Sequence, residues 1–254
     1  MERGILAACE LIERHRKAGH NITEVLAAYT GDNTEGVAGH YDMQTFTADR
    51  TLTEQIDLTT DMCVYATRLL SEVVPAMLNV AVPGNHGEVR NAAGKAFTRF
   101  GDNFDTLGIR QAGKIVAATP GLQDRVRTVL PHGDDLTLTI SVRDRVHTFL
   151  HGHQGRVNAP TAHAKIIQWA KGQAFGMQAA GEAEYVWSGH YHHGSVVEVG
   201  RRVFVQGPAL DGGSVWFAES AGITSPAGMI TGLLNGRAGL AGLTGIEVIP
   251  GVAA

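Results

Sequence analysis

The stretch Ala76-Met77-Leu78-Asn79-Val80-Ala81-Val82 is an apolar run that ends abruptly at Pro83-Gly84, and it reads as a buried strand. The Pro-Gly break delivers Asn85 and His86 side by side on a loop. An Asn side chain offers a hard oxygen donor to a metal, and an adjacent His can reach a substrate oxygen. A chance turn can carry the same letters, so the segments around it decide what this one means.

The chain has 254 residues, 44% of them apolar, enough to bury a sizeable core and read as a single domain over 1–254. Its 32 glycines point to tight turns in an α/β or mixed fold rather than a helical bundle. A formal charge of −4 argues against a surface coated for non-specific nucleic-acid binding but leaves room for a local basic groove. Cys9 and Cys63 have no CxxC partner and read as small buried apolar residues. With no secretory signal and no long uncharged apolar span, the expectation is a soluble, cytoplasmic protein without a membrane partner. Of its 12 histidines, eight crowd between His132 and His193.

Taken in order, Ile5 to Arg16 is an amphipathic helix, stopped by Lys17-Ala18-Gly19-His20. Glu24 to Tyr29 is a short strand running into Gly31-Asp32, which puts a carboxylate at the carboxyl end of a sheet. Leu52 to Val74 is a long helix, expected to turn Leu52, Ile56, Leu58, Met62, Val64, Ala66, Leu69 and Leu70 inward. Glu88 to Arg99 is expected to be helical, with Arg90, Lys95 and Arg99 partly sharing a face. That face is either a phosphate-facing patch or a solvated one, and Arg90 is the substrate-binding candidate from it. Leu136 to Val142 alternates strictly and turns at Arg143-Asp144-Arg145 into a partner strand, Val146 to Leu150, which ends in His151-Gly152-His153. Ala162 to Met177 is helical. Tyr185 to Ser188 is a strand ending in Gly189-His190-Tyr191-His192-His193, and Val196–Val199 with Val203–Gln206 form a hairpin. Pro208 to Trp216 is a loop candidate. From about 219 to 254 the composition thins to Gly, Ala, Ser and Leu, with strands expected at Met229–Leu234 and Gly245–Ile249.

Four strand ends therefore carry Asp32, Asn85-His86, His151 and His190-x-His192. One carboxylate, one amide and three imidazoles form a mixed oxygen and nitrogen set, better suited to Mn²⁺, Fe²⁺ or Zn²⁺ than to Mg²⁺ or Ca²⁺. In this ordered combination, Gly31-Asp32, Gly84-Asn85-His86, His151-Gly152-His153 and Gly189-His190-Tyr191-His192, the chain resembles the calcineurin-like metallophosphoesterases. The stretch from His151 through Lys171-Gly172-Gln173 to His192, followed by Pro208-Ala209-Leu210-Asp211-Gly212-Gly213-Ser214, looks most like phage-encoded, exonuclease-like members. A phage origin would place the protein in the host cytoplasm.

The resemblance implies a two-sheet α/β sandwich with helices on the outer faces, and two divalent metals bridged by Asp32. Mn²⁺ is the first expectation, with Fe²⁺, Zn²⁺ or Mg²⁺ as alternates. Asp32, Asn85, His151 and His190 would hold one metal, and Asp32 and His192 the other. His86 would be the catalytic group, protonating the leaving oxygen or stabilising charge on phosphorus. His153 and His193 are weighed as substrate-side groups. One departure matters: the family opens with a strand ending in Asp-x-His, and no such motif precedes Gly31. The expectation is one complete metal site and one half-built site that this chain can leave empty, an open slot beside the Glu24–Tyr29 strand, and a native start upstream of Met1.

Three functions compete. The first is a phosphodiesterase acting on nucleic acid, DNA included; the second is a phosphatase or pyrophosphatase for a nucleotide or small phosphate ester. The third is a one-metal binding or scaffold protein without turnover. A homo-oligomer is compatible with all three.

Overall fold

The computed structural model describes residues 1–91, 93–154, 159–211, 219 and 226–251. The fold is mixed α/β, with helices and, among the described residues, three sheets. The chain divides into two compact units, Gly4–Leu136 (with Glu2) and Thr137–Ala254 (with Met1 and Arg3).

The first unit is built on a parallel sheet in the order β1-β2-β3, where β1 is Glu24–Tyr29, β2 Ala76–Ala81 and β3 Val126–Val129. Helices α1 (Glu2–Lys17), α3 (Leu52–Val73) and α4 (Phe104–Ala117) accompany it, with a single turn, α2 (Gln44–Thr47), between β1 and α3. Ile5 and Ile12 of α1, Ala66 and Leu70 of α3, Met77, Val116 and Val126 share one buried cluster. Among the described residues β1 is the edge strand, paired only with β2, and Val25, Leu26 and Ala27 are part-buried while Ala28 is exposed.

Two expectations for this unit need correction. The buried side of α3 is Gln55, Thr59, Thr60, Cys63, Ala66, Thr67, Leu70 and Ser71, while Leu58 is exposed. Polar groups win that face because each has a partner. Thr60 Oγ1 donates to carbonyls of Ile56 and Gly108, Thr59 Oγ1 to Asn33, and Asn79 in mid-β2 donates to Thr67. The described residues between 88 and 99 are not helical. Glu88 bridges Asn103 and Arg90 bridges Ala96, around a turn in which Asn91 Oδ1 accepts from Ala93 and Lys95 N–H. Gly94, at φ +74°, lets the chain double back there. Finally, α4 and β3 have no counterpart in the sequence reading.

The second unit carries a five-stranded sheet in the order β4-β5-β6-β8-β7. Its strands are β4 (Thr137–Val142), β5 (Arg145–Leu150), β6 (Tyr185–Ser188), β7 (Ser195–Val199) and β8 (Arg202–Gln206). The β5-β6-β8 core is parallel and both outer pairs are antiparallel. Strand alternation sends Leu150, Val186 and Phe204 to Ile166 and Ala170 of α5 (Ala162–Phe175). Tyr185, Val203 and Val205 pack with Leu243 and Ile230 of the antiparallel pair β9 (Gly228–Leu234) and β10 (Leu243–Pro250). The expected loop segment Gly212-Gly213-Ser214 lies outside the described residues.

Candidate metal centre

Parallel pairing places the first two motifs together. Tyr29 and Ala81 are in register at the ends of β1 and β2, so Gly31-Asp32 and Gly84-Asn85 leave the sheet from the same edge. Asp105, fully buried near the start of α4, holds them there. Its Oδ2 accepts from the backbone N–H of Asp32 (2.9 Å) and of Gly84 (3.0 Å), and its Oδ1 from Thr34 N–H and Oγ1, both at 2.8 Å. A Cβ on Gly84 would lie 2.2 Å from Asp32 N and Oδ1, so only glycine admits this approach.

His86 is fixed through both its backbone and its ring. Its N–H donates to Asp32 Oδ1 (2.9 Å), and its ring Nδ1 donates to the Glu35 carbonyl (3.1 Å), with Glu35 Oε2 at 3.5 Å. Tyr41 in turn donates to Glu35 Oε1, and the His40 ring stacks on His86 with centroids 3.9 Å apart. Burial opposes a charge on His86. The Glu35 hydrogen bond, the Asp32 and Glu35 carboxylates and the Glu35 carbonyl outweigh it and raise the imidazole to about 9. His40 goes the other way: burial first, then the charges of His86 and Arg90, press it down to about 4. The stack thus pairs a cation with a neutral ring.

Arg90 is spent locally. Its guanidinium donates to Glu88 Oε2 (2.7 Å) and to the Gly94 carbonyl (3.1 Å), which braces its own loop. Arg99 is likewise engaged by Asp134.

In the second unit the parallel pair β5 and β6 repeats the device. Gly189 N–H donates to the His151 carbonyl (2.8 Å), which brings the ends of both strands together. His151, 1% exposed, then faces His190 with ring nitrogens 3.1 Å apart (His151 Nε2, His190 Nδ1), the rings tilted at 69°. The His153 ring centroid lies 5.4 Å from that of His151 and 6.3 Å from that of His190. His192 and His193 are exposed. His193 Nδ1 donates to the Tyr191 carbonyl, and its ring lies parallel to His163, which pairs with Ser195.

The donor chemistry fits a divalent cation. Two imidazole nitrogens 3.1 Å apart can share one proton, or both can turn lone pairs to a cation at ~2.0–2.1 Å from each. Within the second unit the two imidazoles are thus a nitrogen donor pair of the kind that Mn²⁺, Fe²⁺ or Zn²⁺ accepts.

No family model matches the chain, and no curated protein does. Solved structures overlap it weakly. Wild-type Vps29 complexed with Zn²⁺ from Entamoeba histolytica is 11% identical, covering 90% of this chain and 99% of its own, with a TM-score of 0.38. A predicted phosphoesterase from Streptococcus pneumoniae is 12% identical, covering 90% and 97%, at TM-score 0.35. A structure described as a novel archaeal phosphodiesterase is 11% identical, covering 90% and 99%, at TM-score 0.39. Likeness at this level assigns neither a family nor an activity.

Sequence reasoning missed Asp105, Asn103, Glu35, His40 and His163. Asn103 caps α4 by accepting from Asp105 and Thr106 N–H, and an Asn ahead of an apolar periodic run was the available signal for that helix. Glu35 and His40 gave none, because their roles come from how the loop after Asp32 curls back over His86.

Proposed function

We propose that this chain is a metal-dependent phosphoesterase that hydrolyses a phosphodiester, with nucleic acid as its substrate class. The observation that carries the reading is backbone strain at the predicted ligands. Asp32 (φ +53°), His190 (φ +68°) and His192 (φ +59°) are three of the seven described non-glycine residues in the left-handed region. Such conformations cost ~1–3 kcal/mol each and persist where the surroundings hold them, commonly at functional sites.

In this reading Asp32, Asn85, His151 and His190 hold one cation, and Asp32 and His192 contribute to a second. When bound, the cations would activate water and neutralise phosphate charge. The protein's own work is then positioning and proton transfer. His86, oriented through Nδ1 by Glu35, gives its Nε2 proton to the leaving oxygen. His153 and His193 line the substrate side. Nucleic acid as the substrate rests on the resemblance to phage exonuclease-like proteins. The engagement of Arg90 and Arg99 by carboxylates favours the second reading, a nucleotide or small phosphate ester.

A substrate panel with Mn²⁺ tests both: bis-p-nitrophenyl phosphate, p-nitrophenyl phosphate, and labelled single- and double-stranded DNA. Turnover of the diester and of DNA, abolished by chelation, is the expected outcome. Turnover of the monoester alone would favour the second reading. No turnover on any ester would overturn both and leave a metal-binding or scaffold protein.

A further inference from the structure

We propose that Asp105 is a positioning residue, setting the backbone of Asp32 and Gly84 so that Asp32 and Asn85 can ligate a metal. The inference rests on the metal-dependent reading above. A single oxygen, Asp105 Oδ2, bridges the two motif loops through the N–H groups of Asp32 and Gly84. The other oxygen holds Thr34 twice, two residues beyond Asp32. Asp32 keeps φ +53° while its N–H is held in this way, and its carboxylate then receives the His86 N–H. One buried side chain therefore governs a predicted ligand and, through it, the seat of the proton donor.

The sequence around α4 is arranged for this grip. Asn103 Nδ2 donates to the Gly84 carbonyl (2.9 Å), and Phe104 N–H donates to the Gly87 carbonyl (2.8 Å), so the start of α4 is stitched to both ends of the Gly84–Gly87 loop. A Cβ on Gly87 would lie 2.6 Å from Asn103 Oδ1 and 2.7 Å from Asp105 Cγ. Both glycines of Gly84-Asn85-His86-Gly87 are thus the counterpart of Asp105, which approaches too closely for any side chain there. An amide at 105 would keep the shape but set its NH₂ either against the N–H groups of Asp32 and Gly84 on both loops or, turned over, against the Thr34 N–H.

The test is calorimetric titration of Mn²⁺ into the metal-free full chain, beside the melting temperature of the same metal-free samples. Groups that orient a ligand typically alter metal affinity by ~10–100-fold. Asp105→Asn is expected to weaken Mn²⁺ binding at least about tenfold. In an Asp32→Asn background the same change should cost less than about threefold more, because the two act through one ligand. Thr34→Val, which removes the Thr34 Oγ1 hydrogen bond to Asp105 and is the milder change if Asp105→Asn does not fold, should weaken binding measurably. Wild-type Mn²⁺ affinity in Asp105→Asn or Thr34→Val, with only a lower melting temperature, would overturn the inference, as would full additivity with Asp32→Asn. A wild-type chain that takes up no Mn²⁺ would overturn the underlying functional reading together with this inference, whereas wild-type uptake with unaltered variants would overturn the inference alone.

Discussion

His86 carries its proton well above neutral pH because Glu35 and Asp32 surround it with negative charge. A general acid works only while protonated, so hydrolysis should hold below about 9 and fall as the pH rises through that value. Glu35→Gln removes both the ion pair and its charge, and should move the descending limb toward the ordinary imidazole range near ~6.5. A pH–rate profile of the two proteins checks this; coincident limbs would detach Glu35 from His86. His86→Ala should lower turnover by ~10²–10⁴-fold while metal content, read by elemental analysis, stays intact. At this scale the sequence disclosed the residues that sit on strand ends, since Pro83-Gly84 and Gly189 mark where strands stop. It did not disclose Glu35, His40 or Asp105, whose effect depends on loops meeting across tens of residues.

Among the elements, α3 and α4 show how pattern reading goes astray. The length of α3 was legible, and its capping box from Thr51 to Glu54 marks the start. Its buried face was not, because the contact with α4 is made by threonines against a glycine. A Cβ on Gly108 would stand 2.8 Å from Thr59 Cγ2 and 3.0 Å from Thr59 Cβ. Gly108→Ala should therefore lower stability despite the better helix propensity of alanine, by ~1–3 kcal/mol as overpacking; denaturant melts read the change. On β5, His147 stacks on Tyr185 and accepts a hydrogen bond from Trp187 Nε1. Burial holds its pKa at about 4 in the folded protein, against ~6.5 when unfolded. Between those values the unfolded chain binds the extra proton, so this contribution is whole above ~6.5 and is lost as pH falls toward 4. His40 adds in the same direction. Urea midpoints across this range should fall with acid, and His147→Phe should flatten the slope.

At the scale of the whole molecule, the mixed α/β class and the order of the motifs were legible, because apolar runs ending in Gly-rich loops recur along the chain. The division near Leu136 was not, since no linker composition marks it. The middle stretch around α4 and β3 was also silent: β3 is only four residues long, and the strongest cue for α4 is a cap, not a periodicity. Among the described residues no helix is long and apolar enough to cross a membrane.

In the proposed function, Asp32, Asn85, His151 and His190 serve a single metal centre. Anomalous diffraction from crystals grown with Mn²⁺ tests this most directly. A peak within ~2.0–2.3 Å of the Asp32 carboxylate and of the His151 and His190 ring nitrogens is the predicted result. Mn²⁺ bound at only some of these side chains, or at none of them, would contradict it.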